Sequence, residues 1–356
     1  MKRLKMAVIG VGALGRHHAR ILAGLDAVEL VAVVDSDARR AQSIADQHNV
    51  EWQTDHRTVL DRVDAVSIVV PTCAHLEVAS EFLARRIPTL VEKPLAGDAQ
   101  QAEKLVALAE QTGTLLQVGH VERFNPASQV MRECCGTPRY IRAERLSPYT
   151  FRSTDIGVVH DMMVHDLDLI LDLVGSDVRR IEAFGISVMG EHEDAVQARI
   201  VFQNGCVADL TASRVNPTVR RTFQVWSLQG CLHADLQARH VTRFAPSGTL
   251  RVGPSPLTLA RAGADLQQLK QDVFGRFIEI EELAVSDQDA LTAELLSFVD
   301  CVRTGQRPLV GGPEALRVLQ LADRIVEDVG GHCWDAAGQF VGPFLFAAPR
   351  ETKRAA

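Results

Sequence analysis

Two short stretches carry groups that could move a proton. The first, GVVHDMMVHDLDLILDLVG at 157–175, sets His160, Asp161, His165, Asp166, Asp168 and Asp172 into a segment whose apolar spacing is that of a helix. Asp161 and His165 are four residues apart, which makes them neighbours on one helical face, roughly 5–6 Å between Cβ atoms. A carboxylate at that range can orient the imidazole and leave it available as a base. Asp168 and Asp172 fall near the same side, whereas His160 and Asp166 point elsewhere. The second stretch, VEKPL at 91–95, ends a short apolar run with Lys93. A lysine partly withdrawn from water beside a ligand can have its pKa lowered far enough to exchange protons. Taken singly, each of these residues has a plainer reading: a strand-ending surface lysine, a helix cap, or an acid facing solvent.

A third stretch binds rather than reacts. GVGALG places Gly10, Gly12 and Gly15, with Ala13 and Leu14 between them, after the strand-like MAVIG and at the mouth of a helix. Asp35 closes the next strand, twenty residues beyond Gly15. The first glycine permits a tight turn, the second lets backbone approach a pyrophosphate, and the third lets helix pack on strand. The helix N-terminus then offers N–H groups to the phosphates. Asp35 would accept hydrogen bonds from a ribose and repel a 2′-phosphate, so NAD is expected in preference to NADP. Arg39 and Arg40 follow one turn later, where a solvated helix face is their expected role and NADP stays open.

The elements that must position these groups fall into two blocks. Residues 1–122 alternate β-rich runs (MAVIG, ELVAVVD, DAVSIVV, PTLVEK, LLQVGH) with amphipathic helical segments, the pattern of a parallel sheet covered on both faces. Ligands of such sheets sit outside the carboxyl ends of the strands, so Lys93 should face that crevice. Residues 123–356 form the second block, opening with a helix at about 155–174. Strand candidates RRIEAFGISVMG, AVQARIVF, CVADLTASR and RTFQVWSL then alternate in polarity, as one open antiparallel sheet does. The stretch 246–290 is loop-like and has no assigned element. Two helices return within 291–328, where they could pack back on the first block, and the last ten residues read as polar and frayed. The fold class is therefore α/β: a Rossmann domain followed by an α/β domain with an open, mostly antiparallel sheet.

Composition narrows the function further. At 356 residues the chain is long enough for two domains, and a formal charge of −7 gives nucleic acid or an anionic membrane little to attract. Seven cysteines, an odd number with no C-x-x-C pair, argue against a disulfide framework or a metal site and suit a cytoplasmic protein. MKRLKMAVIGVGALG has the charge order of a short signal peptide, but its glycine spacing and downstream acid describe a nucleotide site instead. No run reaches the ~18 apolar residues of a membrane span.

GVGALGRHHAR, PTCAH at 71–75, EKP at 92–94 and D-x-x-x-H at 161–165, with the late ELLSFVDCVRTGQRPLV, resemble the glucose-fructose oxidoreductase and inositol dehydrogenase family (Gfo/Idh/MocA). The resemblance spans most of the chain. It implies hydride transfer between nicotinamide and a secondary alcohol of a sugar or polyol. Lys93 would touch substrate and cofactor, and His165 would be the acid or base, with Asp161 close by. Pro71, Thr72, His75 and Glu92 would belong to the cofactor side. VGHVERFNPA, RLSPYTFRSTDIGVVHDMMVHDLDL and SRVNPTVRRTF look most like the nucleotide-sugar branch, implying oxidation of UDP-N-acetylglucosamine to its 3-keto form, coupling to an aminotransferase, and a place in lipid A biosynthesis. Arginines suit a diphosphate, and Arg123, Arg145, Arg152, Arg214, Arg220 and Arg221, with Asn125, are the expected substrate contacts. A free polyol such as myo-inositol, or a cofactor-bound sensor without turnover, are the alternatives. The open sheet face suggests a homodimer or homotetramer. One departure is visible: the family often reads Glu-Pro-Leu where this chain has Asp289, Ala290 and Leu291.

Overall fold

Strands β1 (Leu4–Ile9), β2 (Val28–Val34), β3 (Glu51–Gln53), β4 (Ala65–Ile68), β5 (Thr89–Glu92) and β6 (Leu116–Gly119) pair in parallel, in the order β3-β2-β1-β4-β5-β6. β4, β5 and β6 are buried at every position, which is why their sequences read as unbroken apolar runs. The order reverses between β1 and β4, so the crevice for a ligand opens at their carboxyl ends. The computed structural model describes residues 2–332 except 152 and 155. The frayed reading of the last ten residues lies outside these.

Helices α1 (Gly15–Gly24), α2 (Ala38–His48), α3 (His75–Ala84) and α4 (Ala99–Thr112) make the crossovers. Asp37 and Asp98 accept the first amide N–H groups of α2 and α4, and Asn49 and Gly113 close the same helices in left-handed conformations. Apolar side chains fill both faces of the sheet, around Phe82, Leu83 and Leu105 on one side and Leu22, Leu30 and Phe298 on the other. Phe298 comes from the late helix Ala290–Thr304, and Leu319 of the helix Gly312–Gly331 joins the first side. This unit comprises Met1–Phe124 and Gln288–Asp323. Asp289 is the N-cap of the late helix, accepting from Thr292 N at 2.9 Å, so the Asp-Ala-Leu departure supplies a capping side chain.

The second unit holds Asn125–Asp287 and the described chain from Arg324. Its elements are α5 (Pro126–Cys134), β7 (Tyr140–Leu146), a π-helical turn Val159–Met163 running into α6 (Val164–Val174), β8 (Val178–Ile186), β9 (Ala195–Phe202), β10 (Val207–Ser213), β11 (Arg220–Ser227), β12 (Gly230–Asp235), β13 (His240–Pro246), α7 (Gly248–Val252), α8 (Pro256–Arg261), α9 (Leu266–Asp272) and β14 (Ile278–Leu283). Eight strands form one sheet, β14-β13-β12-β11-β7-β10-β9-β8, antiparallel at every junction except β7 with β10. β9 and β10 alternate strictly between buried and accessible positions. The accessible face carries Tyr140, Arg142, Glu144, Arg199, Asp209 and Trp226.

Several expectations are corrected here. The helix predicted from about 155 begins at 159, as a wide π turn in which Val164 N donates five residues back to Val159 O. Sequence patterning missed β3, β7, β12, β13 and β14. The unassigned 246–290 contains three short helices and β14, in which three of six residues are glutamate and none is fully buried, so no core-facing apolar run marks it. Among the described residues, no helix is long and apolar enough to cross a membrane, and no group of His, Cys, Asp or Glu is arranged to hold a metal ion.

Candidate functional site

Four chain segments meet the same edge of the parallel sheet: Gly10 after β1, Asp35 after β2, Pro71 after β4 and Lys93 after β5. Gly10 has φ +88°, and a Cβ there would come within 2.5 Å of Val69 O, while a Cβ on Gly15 would strike Gly10 O. Gly12 is different. A Cβ on it would meet nothing of the protein within 4 Å, so its smallness serves something outside the chain. Ala13 and Leu14 are exposed beside it, and α1 has neither a side-chain cap nor an acid in its first turn. That is a helix end left for an anion. Asp35 is 7% exposed and accepts Val11 N at 2.9 Å and Asp37 N at 3.0 Å. These residues fit a dinucleotide: glycine backbone and helix end for the pyrophosphate, a fixed carboxylate for the ribose. Arg40 is not merely a solvated residue, since its Nη1 lies 3.1 Å from Asp35 Oδ1; Arg39 is exposed.

Lys93 is half-buried and follows the buried Glu92. Glu92 is 7% exposed; Lys93 N donates to its Oε2, and His18 Nε2 lies 3.1 Å from its Oε1. Its carboxylate is therefore engaged inside the unit. His75 is turned inward as well. Its ring is 1% exposed, with Nδ1 at 2.9 Å from Pro94 O and Nε2 at 3.0 Å from Val70 O. Burial lowers its pKa, against the pull of the Val70 and Pro94 carbonyls. The imidazole is a strut joining the ends of β4 and β5. Pro71 is exposed and Thr72 half-buried on the turn before α3.

In the second unit, the helix with Asp161 and His165 is anchored at its entry by two adjacent acids. Glu193 accepts Val158 N through its carbonyl at 2.9 Å and Val159 N through Oε1 at 3.2 Å. Asp194, fully buried, accepts Val188 N, Met189 N and Arg214 Nε, each at 2.6 Å. Arg214 Nη1 then holds Ser153 O at 3.2 Å and Ile156 O at 2.8 Å, fixing the approach to the helix. Burial by itself raises the Asp194 carboxyl, but the amides of Met189 and Val188 and the Arg214 guanidinium outweigh it and hold it below its ordinary range. Asp161 and His165 are both half-buried. The helix's other acids have structural partners: Asp166 pairs with Arg145 at 2.7 Å, both buried, and Asp172 faces Arg132 at 3.6 Å; Asp168 is 1% exposed.

The described arginines of the predicted group differ in their surroundings. Arg145 and Arg214 are buried in ion pairs, as a guanidinium out of water requires. Arg220 bonds Glu144 at 2.8 Å on the accessible sheet face. Arg123 is 7% exposed, Arg221 is exposed at the head of β11, and Arg152 lies outside the described residues. Asn125 caps α5 through Oδ1 and gives Nδ2 to Leu236 O at 2.9 Å, so its amide serves the fold. Sequence reasoning missed His18 and Asp194. The signal for His18 was its place three residues after Gly15 and four before Leu22, on the buried stripe of α1.

Comparison with known proteins agrees with this geometry. Residues 4–120 match the model of an oxidoreductase family with an NAD-binding Rossmann fold, and residues 130–233 match the GFO/IDH/MocA C-terminal domain. The chain is 32% identical over 324 residues to UDP-N-acetylglucosamine 3-dehydrogenase of Acidithiobacillus ferrooxidans, covering 90% of this chain and 96% of that one. A solved structure of that enzyme superposes with a TM-score of 0.82 at 31% identity, over 93% of this chain and 99% of the other. The scyllo-inositol 2-dehydrogenase (NAD(+)) of Bacillus subtilis is 27% identical over 86% of this chain and 89% of its own length.

Proposed function

Since the chain belongs to the Gfo/Idh/MocA family of NAD-binding oxidoreductases, we propose that it oxidises the 3-hydroxyl of UDP-N-acetylglucosamine to a ketone. The enzyme is an NAD-dependent dehydrogenase of a sugar-type hydroxyl. The nucleotide-sugar reading is carried by one observation: likeness to the UDP-N-acetylglucosamine enzyme runs through nearly the whole of both chains. Likeness to an inositol dehydrogenase, somewhat lower, supports a free polyol as the second reading.

NAD, when bound, supplies the acceptor for the hydride leaving the sugar carbon. The chain's own residues hold the reacting atoms and take the hydroxyl proton. The glycine turn and the uncapped end of α1 would bind the pyrophosphate, and Asp35 the ribose. Lys93 would hydrogen-bond the reacting hydroxyl, and His165, with Asp161 four residues before it, would accept its proton. The alcohol thus loses one hydride and one proton, and its C–O bond becomes a carbonyl. Among the described arginines, Arg220 and Arg221, both exposed at the head of β11, are proposed for the diphosphate. We also propose a dimer or tetramer through the accessible face of the eight-stranded sheet, and a 3-keto product consumed by an aminotransferase.

Competition by UDP tests the substrate class. A nucleotide-sugar enzyme binds UDP and is inhibited by it in competition with the sugar nucleotide, whereas indifference to UDP at millimolar concentration would favour the free polyol.

A further inference from the structure

α1 ends at its amino side in the glycine turn, and one turn later it sends His18 into the sheet. That ring is fully buried. Nδ1 lies 2.9 Å from Ser67 Oγ on β4, itself fully buried, and Nε2 lies 3.1 Å from Glu92 Oε1 at the end of β5, off the line of a hydrogen bond. The other carboxylate oxygen, Oε2, receives Lys93 N at 3.2 Å. On its far side the carboxylate lies against β6, where a Cβ on Gly119 would come within 2.9 Å of it. Glu92 is thus packed between α1 and β6, and the next residue in the chain is Lys93. Burying an imidazole and a carboxylate is costly unless each finds a partner. Ser67 meets that need at Nδ1, and the Glu92 carboxylate faces Nε2 at ion-pair distance, so three residues from three separate elements are packed together.

We propose that His18 is a positioning residue for Lys93, acting through Glu92, and that it ties the lysine's backbone to the helix whose N-terminus takes the cofactor phosphates. The proposal rests on Lys93 taking part in the reaction. His75, on Pro94 O, holds the same segment one residue beyond the lysine. A lysine whose backbone is braced on both sides starts from a fixed position, and misplacement of a catalytic group by about 1 Å costs up to about 10²-fold in rate.

Asn and Gln substitutions separate the two ring edges. Asn presents a nitrogen near the Nδ1 position and Gln one near Nε2, so His18→Gln keeps the Glu92 contact and His18→Asn keeps only the Ser67 contact. We expect His18→Asn and His18→Leu to lower kcat with UDP-N-acetylglucosamine by about 10–100-fold, with KM for the sugar and Kd for NAD held within about threefold. His18→Gln should recover most of that loss. A second readout is independent of turnover. The chain has six lysines, and in 13Cε-lysine-labelled protein the signal missing from Lys93→Met is that of Lys93. It should be displaced or broadened in His18→Asn and native in His18→Gln. Asn and Gln variants that behave alike, or a Kd for NAD that worsens in step with kcat, would overturn the proposal in favour of plain core packing. Full turnover by Lys93→Met would instead sink the role of Lys93, while the lysine signal would still decide whether His18 sets its position.

Discussion

Lys93 is where the chemistry is most exposed to test. Replacing it with Met keeps the length of the side chain and removes its proton, so kcat should fall by about 10²–10⁴-fold while Kd for NAD, measured by fluorescence, stays near that of the parent. Undiminished turnover would remove Lys93 from the mechanism. Asp35 makes the complementary case. It is buried and held by Val11 N, so its carboxylate is already aimed before any ribose arrives. Asp35→Ala should weaken NAD by roughly 10–100-fold, the worth of hydrogen bonds to a charged group, and narrow the preference for NAD over NADP. An unchanged ratio of the two affinities would show that Asp35 does not read the 2′-position. At this scale the sequence was legible where a residue's task depends on local spacing, as for the tight turn at Gly10 and the close packing at Gly15. It was not legible for Arg214, because an arginine that reaches phosphate and one that neutralises a buried aspartate look alike until the partner is located.

The buried pair Arg214 and Asp194 belongs to the element that presents Asp161 and His165. Arg214→Ala leaves the buried Asp194 without its counter-charge and frees the carbonyls of Ser153 and Ile156, so it should destabilise by about 3–5 kcal/mol in chemical denaturation. A loss below about 1 kcal/mol would place that loop under other control. Acid should act in two windows, one in each unit. His75 has a folded-state pKa below its ordinary 6.5, so the unfolded chain takes up protons first and stability falls as pH drops beneath about 6.5. Asp194, also depressed, adds its loss only below its ordinary 3.8. Thermal unfolding of the parent between pH 7.5 and 5 should show the first loss, and His75→Gln should flatten it; the same slope in both would assign the effect elsewhere. Strands of the first unit could be read from their apolar runs because both faces of that sheet are covered. β7 and β12 could not, since alternation with arginine and glutamate on one face, or a short strand with a histidine on it, resembles loop composition.

Across the whole molecule, the eight-stranded sheet leaves one face accessible, and its residues are paired to one another: Arg199 with Asp209, Glu144 with Arg142 and Arg220, with Trp226 and Phe184 each nearly half exposed. A second copy of the chain suits such a face, since apolar anchors among satisfied charges are what an interface buries. Light scattering at micromolar concentration should give twice or four times 38.9 kDa, and Trp226→Glu should shift it toward the monomer; a monomeric parent would end that reading. The family was legible in the sequence because four short motifs in order are specific to it. The substrate was not, because specificity depends on which side chains converge, and of the six arginines expected to do so two are buried in ion pairs and one lies on the accessible sheet face.

The most direct measurement is NADH absorbance on mixing the enzyme and NAD with UDP-N-acetylglucosamine, an aminotransferase and an amino donor present to draw off the ketone, and with myo-inositol in a parallel reaction. The account predicts NADH with the nucleotide sugar alone, and mass spectrometry placing the ketone at position 3. NADH with myo-inositol and none with UDP-N-acetylglucosamine would contradict it.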